Sequence, residues 1–108
     1  MTVRDWIAGR SATVPPELTA RILALLGPDG EQGAERAGEL CLAAATRSLD
    51  GLLAGGRYGR DSALHLLAID ALTTYAFEHA CESGKPDAVR ALALDGAHAV
   101  SQLSIARG

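Results

Sequence analysis

Apolar side chains recur every three or four positions along this chain, and glycine and proline interrupt them at intervals, dividing it into five helical segments. Thr2 ahead of Asp5 has the form of a capping box, and Val3, Trp6 and Ile7 then share one side of a short helix over 3–9. Pro15 pushes Val14 out of helical geometry. The next helix spans 15–26, with proline at its start and Gly27-Pro28 at its end. Its stripe is Leu18, Ile22, Leu25 and Leu26, while Glu17, Thr19 and Arg21 are expected to face water.

A third helix is predicted over 31–54, closed by Gly55-Gly56, with Ala34, Ala37, Cys41, Ala45, Leu49 and Leu52 inward. Its first half is built of small residues (Gly33, Gly38, Ala43, Ala44, Ala45), which lets a neighbouring helix approach closely. The fourth helix, 61–83, is apolar almost all round, so it is expected at the centre, covered by the others or by a partner chain. A fifth, 86–104, carries the stripe Val89, Leu92, Ala93, Gly96, Ala99, Val100 and Leu103. Leu94 and Ile105 lie on its opposite side with His98 between them, and this second stripe points to a homodimer interface. The expected fold is all-α: a single-domain antiparallel helical bundle of four main helices after a short N-terminal one.

Composition agrees. The 108 residues include 21 Ala and 16 Leu but only 4% aromatics, a balance that suits helices over sheets. A chain of this length forms one domain. Its net charge of -3 argues against nucleic acid, whose binders are usually strongly basic. Residues 1–16 contain no apolar h-region, and the most apolar stretch, 63–77, is broken by His65, Asp70, Thr73 and Thr74. Neither a secretory signal nor a membrane span is therefore expected, and a cytoplasmic protein is. Nine Arg against one Lys, with abundant Ala and Gly, suggest a GC-rich bacterial genome.

The chemistry-bearing residues are scattered. In antiparallel neighbours, with a rise of about 1.5 Å per residue, Cys41 and Cys81 fall about 10 Å apart along the axis, as does each of His65, His79 and His98 from the next. Such spacing is too wide for a disulfide or for shared metal ligation, so no cofactor or metal is implied. His79 with Glu78 and Glu82 could meet a symmetry mate, although a histidine near a helix C-terminus is also simply favoured there. The histidines lack the lysine and glycine three and four residues on that phosphotransfer bundles carry. There is no G-x-S-x-G elbow, and His79 and Cys81 do not face each other at a spacing of two. No catalytic residue is assigned.

Two features bear on binding, although the first also reads as an interhelix turn whose glycines end one helix and whose arginines keep it soluble. The Gly55-Gly56-Arg57-Tyr58-Gly59-Arg60 loop, opening a helix at Asp61, has the elements of an anion or ligand site in Arg57, Tyr58 and Arg60. Asp61 is expected to cap the free N–H groups there. Asp70, Thr74 and Cys81, with Glu78 nearby, form a strip on the fourth helix that is either a solvent-facing edge or a pocket lining. The residues favour a small non-catalytic interaction or regulatory module, homodimeric or bound to another protein. The alternative is an anion- or small-molecule-binding bundle.

Overall fold

The computed structural model describes residues 1–55, 60–84 and 94, with residue 60 described in its backbone alone. The predicted fifth helix lies outside these residues except for Leu94, which is helical and 64% exposed. Among the described residues the regular structure is helical, with no strand beyond a single bridge between Thr2 and Gly33.

Helix α1 spans Val3–Ala8. Its capping box is formed: the Asp5 N–H donates to Thr2 Oγ1 and the Thr2 N–H to Asp5 Oδ2, both at 3.1 Å. Two N–H groups that a helix start leaves unpaired are thereby satisfied. Val3 and Ile7 are fully buried. Helix α2, Pro16–Leu26, starts at proline and stops at Gly27, whose φ of 59° suits a residue without a Cβ. Ile22 and Leu26 are buried and Leu18 and Leu25 partly so, as its stripe requires.

The predicted 31–54 helix begins later. Residues Gly27–Glu31 and Ala34–Arg36 form two short 3-10 turns, and α3 proper is Ala37–Gly55. The cause is a tie to the N-terminus. The Val3 N–H donates to the Gln32 carbonyl at 2.9 Å and the Ala34 N–H to the Met1 carbonyl at 3.0 Å. Gly33, with extended backbone at ψ 143°, sits between these bonds. Glycines at 30 and 33 weaken any competing helix by about 1 kcal/mol each.

Helix α4, Arg60–Glu82, packs against α3 along its length and against α2. The α3–α4 seam is made of small residues: Ala37, Ala44 and Ala45 on one side, Ala68, Ala76 and Ala80 on the other, all buried. Ala43, expected in this seam, is exposed instead. Larger groups fill the space around it, with Leu72 and Cys41 at 0% exposure and Ile22 and Leu26 contributed by α2. Among the described residues no helix is long and apolar enough to cross a membrane.

Candidate interaction face of α4

At about 100° per residue, the buried residues of α4 (Ala68, Ile69, Leu72, Tyr75, Ala76, Ala80) occupy one side of the helix. Ala63, Leu67, Asp70, Thr74, Phe77 and Cys81 occupy the opposite side. All are exposed except Phe77, which is half-buried. Leu67 is 56% exposed and its neighbour Leu66 48%. The helix that reads as central from its composition is covered by α2 and α3 on one side and carries a second apolar surface on the other. The strip of Asp70, Thr74 and Cys81 faces outward, and its lower part also lines an open hollow of about 520 Å³, formed by Thr73, Thr74, Phe77, Glu78, Cys81 and Glu82. Asp70, Thr74 and Cys81 are exposed, and Asp70 is not among the residues that line the hollow.

One border of this face is fixed by α1. Arg10, just beyond that helix, lies over the Trp6 ring with its guanidinium carbon 4.0 Å from the ring centroid. It also pairs with Glu78 at 3.3 Å and with Glu82. Trp6 in turn makes edge contacts with Tyr75 and His79, at centroid distances of 6.1 and 5.3 Å. His79 Nδ1 accepts the Gly38 N–H at 3.2 Å. Glu78, His79 and Glu82 are thus committed to holding α1, α3 and α4 together. Neither Trp6 nor Arg10 is marked by local sequence, since their partners lie about seventy residues away.

A second polar group sits where α4 starts. Arg21, expected to face water, reaches across from α2 instead. Its Nη2 donates to Asp61 Oδ1 at 2.7 Å and its Nη1 lies 3.4 Å from His65 Nδ1. Asp61 therefore pairs with Arg21, and this hydrogen bond holds its carboxyl below the usual range. Asp61, expected as a cap, lies in the first turn of α4. Ser48, Gly51, Leu52, Asp61, Ser62 and His65 line a shallow hollow of about 360 Å³ there.

Arg57 and Tyr58 lie outside the described residues, as do His98 and Ile105, and the Arg60 side chain is not described either. Among the described residues no three His, Cys, Asp or Glu side chains group as metal ligands. Both cysteines are free, Cys41 buried and Cys81 exposed. The outward leucines of α4 were missed because an almost wholly apolar helix reads as buried all round. The available signal was the alternating spacing of four and three from residue 63 to residue 81. Comparison with protein-family models, curated proteins and solved structures finds no match to this chain.

Proposed function

We propose that the protein is a small non-catalytic helical interaction module, an antiparallel bundle that works as a homodimer. The observation that carries this reading is the outward face of α4. Apolar side chains exposed together on one face mark interaction sites when the patch exceeds a few hundred Å². Leu66 and Leu67 are exposed on this helix, and further along it half-buried Phe77 is one of the residues lining a hollow. Leu94 adds an exposed leucine on the C-terminal segment, where His98 and Ile105 complete the second stripe expected from sequence.

The test is the mass of the intact full-length chain by native mass spectrometry and light scattering. A dimer at micromolar concentration is expected. Glu substitution at Leu67, or at Leu94 with Ile105, identifies which face carries the contact. A wild-type chain that stays monomeric at high concentration overturns the homodimer.

The alternative is an anion- or small-molecule-binding bundle. It draws support from the hollow beside Asp61 and His65, which adjoins the Arg57–Arg60 loop in sequence. Inorganic phosphate or nucleotide binding that disappears in an Arg57→Ala, Arg60→Ala double variant would favour it.

A further inference from the structure

The outward positions of α4 form a heptad seam: 63, 67, 70, 74, 77 and 81 follow one another at spacings of four and three, the repeat by which two helices pack side by side. These positions are also symmetric about Leu72. In an antiparallel pair related by a two-fold axis at that level, Ala63 meets Cys81 of a second copy, Leu67 meets Phe77, and Asp70 meets Thr74. Each pair is chemically matched: small with small, large apolar with large apolar, a carboxylate acceptor with a hydroxyl donor. A two-fold interface requires this kind of self-complementarity, because the same patch must serve both subunits.

Shape agrees with chemistry. The hollow lies at residues 73–82, and the level that the two-fold brings against it, near 62–71, carries the most exposed leucines of the helix, Leu66 and Leu67. Glu78 and Glu82 at the rim of the hollow are held by Arg10, which limits their repulsion of an incoming copy. The central Asp70–Thr74 layer is polar, and polar groups within an apolar seam fix register at some cost in stability.

We infer that two copies of this chain pair through an antiparallel α4–α4 contact centred on Leu72, with Leu66 and Leu67 of each seated in the hollow of the other. The inference rests on the homodimer reading and adds its surface, direction and register. A second copy is preferred as the occupant because the pattern on the face is its own two-fold complement.

The deciding experiment is cross-linking of the full chain with diamide, a thiol oxidant. Positions 63 and 81 lie eighteen residues apart, roughly 27 Å along one helix, so no bond between them can form within a chain. Wild type should give no covalent dimer, because the two Cys81 residues are equally far apart in this register. Ala63→Cys, at an exposed site, should convert most of the protein to a dimer joined through Cys81. Adding Cys81→Ser should abolish that product, whereas a parallel pairing would still join the two thiols at 63. Leu67→Glu should weaken the uncross-linked dimer about tenfold or more, as loss of a central apolar anchor does, and Asp70→Asn should tighten it. A dimeric mass without the Ala63→Cys bond overturns the register and leaves the homodimer standing. A monomeric mass overturns both, and protection of Cys81 from maleimide in that monomer would identify residues 85–108 of the same chain as the cover.

Discussion

His79 on α4 holds the first turn of α3: its Nδ1 accepts the N–H of buried Gly38 at 3.2 Å. The same ring is packed edge-on by Trp6 at 5.3 Å. One side chain therefore supplies an acceptor to α3 and a surface to α1. As the acceptor of that bond, Nδ1 is the ring nitrogen that carries no proton.

His79→Phe keeps a ring for Trp6 and removes the acceptor, whereas His79→Ala removes both. An unpaired buried N–H costs about 1–3 kcal/mol, and in a domain of this size each kcal/mol lowers Tm by roughly 4–8 °C. Both variants should melt lower than wild type by circular dichroism, the alanine further. A phenylalanine variant with unchanged Tm would show that the Gly38 bond contributes nothing.

Acid should destabilise the protein in part through two carboxylates. The Thr2 backbone N–H, then its hydroxyl, hold Asp5 below its ordinary 3.8, and Arg21 does the same for Asp61. A carboxyl depressed in the folded state stabilises above its unfolded pKa, and that contribution is lost as pH falls through the folded value. The contribution of these two groups should therefore be constant above about 5 and be lost below about 4. An Asp5→Asn, Asp61→Asn double variant should show a shallower acid decline, and parallel curves for the two proteins would exclude these groups as its source.

The two thiols should differ sharply in reactivity. Burial pushes the Cys41 thiol up to about 12, so almost none of the reactive thiolate exists at pH 8. Cys81 is exposed. In the Leu67→Glu variant, where the proposed dimer contact is weakened, Ellman's reagent should modify one cysteine per chain quickly and the second only in denaturant. Two fast thiols would mean that the core around Cys41 opens readily.

How much of this was legible beforehand depends on the range of the interaction. Thr2 with Asp5, Pro16 and Gly27 act within a few residues, and the helices they delimit stand where pattern places them. The start of α3 does not, because Gly33 pairs with Thr2 across some thirty residues and that pairing outweighs local helical preference. The place of Arg21 opposite the apolar stripe predicts a side chain in water, yet it reaches back to Asp61 and His65. The α4 face was hidden for a different reason. Leu66 and Leu67 are as apolar as Leu72, and hydrophobicity alone does not tell a core leucine from one awaiting a partner.

The clasp of α1 against α4 also bears on the order in which the chain folds. A six-residue helix is too short to persist in water by itself, and the aromatic and ionic partners of Trp6 and Arg10 fall between Tyr75 and Glu82. During synthesis α1 is made well before those partners exist, and closing so long a loop is entropically slow to be repaid. The contacts of Trp6 and Arg10 with α4 should therefore form late, after the nearer ties of α1 to residues 32–34, and the emission of Trp6, the single tryptophan, should report the completion of folding rather than its onset.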